Sequence, residues 1–82
     1  MKLSPVERYI ISYLWENGPD RPANIGSDNP EDDAPHPVSV SRSMANLEEM
    51  GLVKHRGNAV YWLSMAGLQA ALNLKDSTGR GS

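Results

Sequence analysis

The stretch "MANLEEMGLVKHRGNAVYWLS", Met44 to Ser64, decides how the rest of the chain is read. Met44 and Leu47 continue an apolar stripe that begins at Val40, at helical spacing. The run stops at Gly51, the residue type that most readily takes the left-handed turn past a helix end. Beyond it the periodicity changes from helical to alternating. Leu52 to Arg56 and Ala59 to Leu63 read as two short strands around Gly57-Asn58, with Gly57 in the first position of a two-residue hairpin turn. Lys54, His55 and Arg56 gather towards the tip of that ribbon. The other elements are placed around this junction of a helix with a basic, glycine-tipped hairpin.

Upstream, Ser4-Pro5-Val6-Glu7 forms a helix start. Ser4 can cap, proline suits the first helical position, and Glu7 completes a capping box. Val6, Ile10, Tyr13 and Leu14 share one face, and Asn17-Gly18-Pro19 ends the helix. Pro22 to Gly26 has room for one short helical turn, and Asp28 to Pro37 reads as an exposed connector. Pro37 opens the helix that Gly51 closes, and Ser39, Arg42 and Asn46 fall opposite its apolar stripe. Ser64 can cap a last helix from Met65 to about Asn73, with Met65, Leu68 and Leu72 on its apolar face. Lys75 to Ser82 has no apolar residue and is expected to fray. The expected organisation is one domain over residues 1–74 and a flexible tail over 75–82.

The totals bound the function. With 82 residues the chain fits one small domain with a modest core. It has no cysteine, which excludes disulfides and thiolate metal sites. No apolar run reaches the ~18–20 residues that span a bilayer, and Met1 to Pro5 is not an apolar signal segment, so a cytoplasmic protein without a membrane partner is expected. The net charge is −2, which does not by itself point to nucleic acid. The charge is unevenly spread, however. Asp20, Asp28, Glu31, Asp32 and Asp33 meet only Arg21 between positions 20 and 36, whereas Arg42, Lys54, Arg56 and His55 outnumber Glu48 and Glu49 from Ser39 to Leu63.

Helix, short helix, helix, hairpin, helix is the order of a winged helix-turn-helix: mainly α with a small β-hairpin that covers one open side of the helices. "RPANIG" (21–26) and "HPVSVSRSMANLEEMGLVKHRGNAVYWLS" (36–64) resemble the small winged-helix regulators of haloarchaea and their viruses, the phage phi-H repressor-like group. The resemblance rests on Pro22-Ala23-Asn24-Ile25, His36-Pro37, Val40-Ser41, Leu47 to Val53, Gly57 and Val60-Tyr61-Trp62-Leu63, and it covers about residues 21–72. The acidic stretch from Ser27 to Pro35 is longer and richer in proline than the link usual in that group. The resemblance implies sequence-specific binding of double-stranded DNA in transcriptional control, usually as a dimer.

In that setting Arg42 is the candidate for base readout, since a guanidinium bonds a guanine edge through two donors, and Asn46 can bond adenine in the same way. Ser39 and Ser43, with Ser41 beside them, are candidate phosphate contacts. Lys54, His55, Arg56 and Asn58 form the expected wing contacts, meeting phosphates or entering the minor groove. His36 stands at a helix N-terminus, where it suits either a phosphate contact or a cap. With Asp32 and Asp33 it offers at most a weak cation site. No nucleophile-and-base arrangement or glycine-rich phosphate loop is present, so no enzyme activity and no cofactor are expected. Ile11 and Trp15 lie away from the first helix's apolar stripe, and Trp62 shares strand parity with Val60. These residues either pack under the last helix or form the interface of a homodimer, and the dimer is the expected state. The competing reading is a winged-helix protein-interaction module that does not bind DNA, which the acidic balance favours.

Overall fold

In the computed structural model of the protein, which describes residues 3–80 with side chains through Lys75, the described residues form four helices and one hairpin. Helix α1 (Pro5–Asn17) begins with the reciprocal cap that its sequence calls for. The Ser4 hydroxyl accepts the Glu7 amide at 3.2 Å and the Glu7 carboxylate accepts the Ser4 amide at 2.9 Å. The helix stops at Gly18, whose φ of +82° suits glycine alone. Helix α2 (Pro22–Ile25) is a single turn. Helix α3 (Pro37–Glu49) ends in a Schellman motif: the Leu52 amide reaches the Leu47 carbonyl at 3.0 Å and the Gly51 amide the Glu48 carbonyl at 3.0 Å, with Gly51 at φ +78°.

Strands β1 (Val53–His55) and β2 (Tyr61–Leu63) pair antiparallel, Val53 with Leu63, Lys54 with Trp62 and His55 with Tyr61. Both are shorter than their sequence suggests, and the turn differs from the two-residue form. The Ala59 amide bonds the Arg56 carbonyl at 2.9 Å and the Arg56 amide the Val60 carbonyl at 3.3 Å, which leaves Gly57, Asn58 and Ala59 as a three-residue loop. Ala59, rather than Gly57, takes the left-handed position, at φ +64°. The far edge of β2 is occupied too. Asp20 bridges Tyr61 through two backbone bonds, of 3.1 and 2.8 Å.

Helix α1 packs against α3 on one side and α4 (Met65–Arg80) on the other, so it is buried on both flanks. This is why Ile11 joins Ile10 and Leu14 in the core with Ile25, Val40, Met44, Leu47, Leu52, Val53 and Ala71. The expectation that Ile11 lies at a dimer interface is thereby corrected, because it is fully buried within one chain.

Helix α4 starts as expected at Ser64, whose hydroxyl accepts the Gly67 amide at 3.1 Å and donates to the Gly51 carbonyl. It turns a different face inward, however. Gly67 and Ala71 are buried, while Met65, Leu68 and Leu72 face outward. The cause is a close approach of backbones: a Cβ on Gly67 would lie 1.9 Å from the Leu52 carbonyl oxygen, so the contact face must be its smallest one. The helix also continues to Arg80 instead of ending near Asn73, so the backbone of the expected tail is helical over 75–80. No Pro or Gly interrupts the segment between Gly67 and Gly79, and each further residue adds a helical hydrogen bond. Gly81 and Ser82 lie outside the described residues. Among the described residues no helix is long and apolar enough to cross a membrane.

Candidate nucleic-acid interface

The core stripe of α3, Val40, Met44 and Leu47, fixes which residues point away from the protein. Those at the centre of the outer face are Val38, Arg42, Ala45 and Glu49, all exposed, with Ser41 at one edge and Ser39 and Asn46 at the other. Ser43 lies towards the core side and is only half exposed. Arg42 has no acidic partner among the described residues. Val38 and Ala45, one turn on either side of Arg42, are exposed as well, and they carry no hydrogen-bonding group for a pattern of polar side chains to mark. The helical period places them there without further information.

Asn46 is differently placed. Its amide donates to the Glu7 carboxylate at 2.6 Å, across 39 positions of sequence, and so ties α3 to the start of α1. One of the two amide hydrogens is thereby engaged, which ties the side chain to α1 and leaves one N–H and the carbonyl oxygen for any other contact. Glu7 itself is buried. Burial pushes its carboxyl up, but the Ser4 amide, the Asn46 amide and the Ser4 side chain together hold it below the ordinary carboxylate range.

The two faces of the hairpin divide the basic residues. His55 lies on the inner face beside Tyr61, with ring centroids 4.8 Å apart, and its Nδ1 bonds the Glu48 carboxylate at the end of α3. It is thus a strut between hairpin and helix, with Nδ1 engaged and the side chain still exposed. Burial, reinforced by the Glu48 charge, pushes the Tyr61 hydroxyl above its ordinary range. Lys54 lies on the outer face opposite Trp62, and the Arg56 guanidinium stands over the Trp62 ring, 5.8 Å from its centroid. Trp62 is half-buried beneath that cation, which removes one face of its ring from the dimer interface expected of it. Asn58 is exposed at the turn. Lys54 and Arg56 have no acidic partner among the described residues.

Two acids of the acidic stretch between positions 20 and 36 have structural work. Asp20 accepts the Tyr13 hydroxyl at 2.6 Å, the Asn24 amide at 2.8 Å and the Arg21 backbone amide at 2.8 Å. The Tyr13 bond, followed by that from Asn24, holds its carboxyl below the ordinary range, and the same bond raises the Tyr13 hydroxyl. Asp32 accepts the Ser27 hydroxyl at 2.6 Å. The segment before α3 is thus a set of local turns: the Asn29 side chain accepts the Glu31 amide at 3.0 Å, and the Ser27 amide closes back on the Pro35 carbonyl at 2.9 Å. Gly26 permits this closure, since a Cβ there would lie 2.8 Å from the Pro35 oxygen.

His36 caps α3, its Nδ1 accepting the Val38 amide at 3.1 Å. With that nitrogen occupied, the phosphate contact considered for His36 loses its ring Nδ1. Among the described residues no three His, Asp or Glu side chains converge as metal ligands, so Asp32, Asp33 and His36 form no such group. No family model, no curated protein and no solved structure matches the chain.

Proposed function

We propose that the protein is a winged helix-turn-helix regulator that binds double-stranded DNA sequence-specifically, with α3 in the major groove and the β1–β2 hairpin as the wing. One observation carries the reading. The outer face of α3 from Val38 to Ala45 is exposed and free of acids, and Arg42 stands unpaired at its centre. A helix that only meets solvent usually carries Glu and Lys there. On this reading Arg42 bonds a guanine edge, Val38 and Ala45 meet thymine methyl groups, and Ser39 and Ser41 hold phosphates. Lys54, Arg56 and Asn58 contact the flanking backbone.

A second reading has its own support. The acids Asp28, Glu31, Asp32 and Asp33 precede α3 in a segment held by its own turns, and that negative charge opposes phosphate and suits a basic protein partner. Salt-titrated binding to random-sequence duplex, followed by selection of a preferred site, separates the two. The DNA reading expects weak random binding that strengthens as salt falls. It also expects Arg42→Ala to cost ~1–3 kcal/mol on the selected site and to relax preference at one base pair. Absence of binding at low salt would leave the interaction module as the function.

A further inference from the structure

A cleft of about 470 Å³ opens between the start of α1 and α4. Its volume falls within the ~300–1,000 Å³ usual for small-molecule sites. Leu52 is the buried residue of its lining, and Leu3, Ala66, Ala70 and Leu74 make the rest largely apolar. Ala66 and Ala70 end at Cβ, so the space between the two helices is left unfilled. The polar lining is small. Arg8 contributes from α1, and Gln69 and Asn73 from α4. No acid is among these lining residues, and among the described residues Arg8 has no acidic partner. Its neighbour Glu7 is engaged with α3, through Asn46. The Gln69 amide donates to the Asn73 carbonyl at 3.5 Å, which leaves the Asn73 amide hydrogens to donate elsewhere.

We propose that this cleft binds a small organic acid, a carboxylate on an apolar body. Charge and lining select that class together. One guanidinium matches one negative charge and takes both oxygens of a carboxylate through parallel N–H donors. A phosphate monoester carries about −1.5 to −2 at neutral pH and would bring charge that no second cation of the lining meets. A sugar would strand its hydroxyls against Leu3, Leu52 and Leu74. The acid sets its carboxylate on Arg8, with Asn73 as a second donor, and buries its apolar body over Ala66 and Ala70 against Leu52. Affinity is modest, because Arg8 is exposed and an exposed ion pair contributes little. The position matters for the rest of the molecule. The Leu52 amide closes the end of α3 on Leu47, its carbonyl accepts the Ser64 amide at 3.0 Å just before α4, and β1 begins at the next residue. A ligand resting on Leu52 therefore touches the joint between α3 and the hairpin, while the cleft shares no residue with the outer face of α3. The inference does not rest on DNA binding and is tested without DNA.

Octanoate, kept below the concentration at which it forms micelles, is the probe. Titrated into the full chain and followed by amide NMR, it should saturate, with shift changes centred on Ala66, Gln69, Ala70 and Asn73. Octanamide, the neutral analogue of the same length, should bind about three- to tenfold more weakly, and Arg8→Gln should remove the difference between the two. Ala70→Phe fills the cleft and should abolish binding of both. Circular dichroism melts check that it folds, and Ala66→Phe makes the same test from a more exposed position. Octanoate that does not saturate, that shifts residues elsewhere, or that binds no better than octanamide would overturn the proposal. So would unchanged binding to a folded Phe variant, or binding that appears only with micelles or lipid vesicles.

Discussion

At the scale of single residues, Glu7 shows how a buried charge is kept. Desolvation works against its ionised form, and the Ser4 and Asn46 donors outweigh that cost, leaving the folded carboxyl below its unfolded value. The unfolded chain therefore binds the proton more readily in acid. The stabilisation from Glu7 is present above about pH 4.3, the ordinary glutamate value, and is lost as pH falls through the folded value. Asp20 acts in the same direction just below it, through Tyr13 and Asn24. Urea unfolding of wild type at a series of pH values should show stability falling below about pH 4.3, and Glu7→Gln should flatten that limb while lowering stability at neutral pH. An unaltered acid limb would remove Glu7 as a source. Ala59 is a second case, because its left-handed φ of +64° strains any residue with a Cβ. Ala59→Gly relieves the strain at some cost in unfolded-state entropy, for an expected net gain of about 0.5–1 kcal/mol in stability, read from the denaturant midpoint. Loss of stability would show that the turn is held by something other than its backbone.

At the scale of elements, the proposed wing, β1–β2, and the proposed recognition helix, α3, should make separable contributions. Replacing Lys54 and Arg56 with Ala should lower affinity on random and preferred DNA alike and reduce the log–log salt slope by roughly 0.9 for each phosphate no longer neutralised. His55→Ala should leave that slope alone and loosen the hairpin, since His55 is spent on Glu48 and Tyr61. A slope unchanged by the double substitution would take the hairpin out of the binding surface. The elements themselves are mostly legible in the sequence, and the reason is locality. The Ser4–Glu7 box, Pro37, Gly51 and Ser64 act within a few positions of the ends they define. What is illegible depends on distance. Glu7 reaching Asn46, and Asp20 pairing with Tyr61, join residues far apart in sequence, and no periodicity announces them. The face of α4 misleads for a related reason. Apolar periodicity points to the largest side chains, whereas the spacing between α4 and the Leu52 carbonyl admits only glycine. Within the candidate site Arg42, Lys54 and Arg56 are exposed as expected, while Asn46 and His55 are claimed by carboxylates the local pattern could not assign to them.

At the scale of the whole molecule, α1 is the shared support, buried against α3 on one flank and α4 on the other. Ile11→Ala should cost ~2–5 kcal/mol, the usual penalty for emptying a core site. In a domain this small that is a large share of a total stability near the low end of ~5–15 kcal/mol, so its urea midpoint should drop sharply. Trp15→Ala, at a position already 37% exposed, should cost far less. Equal costs would mean that Trp15 anchors the second flank as much as Ile11 does. The pairing of Asp20 with Tyr61 divides this architecture in another way. It brings the two ends of residues 21–60 together, so α2, the acidic turns, α3, β1 and the hairpin loop form a single excursion that leaves and rejoins the frame at one point. The frame, α1 with β2 and α4, does not need to know how long that excursion is. A lineage can lengthen the turns before α3, or rewrite its outer face, without moving the place where the chain comes home.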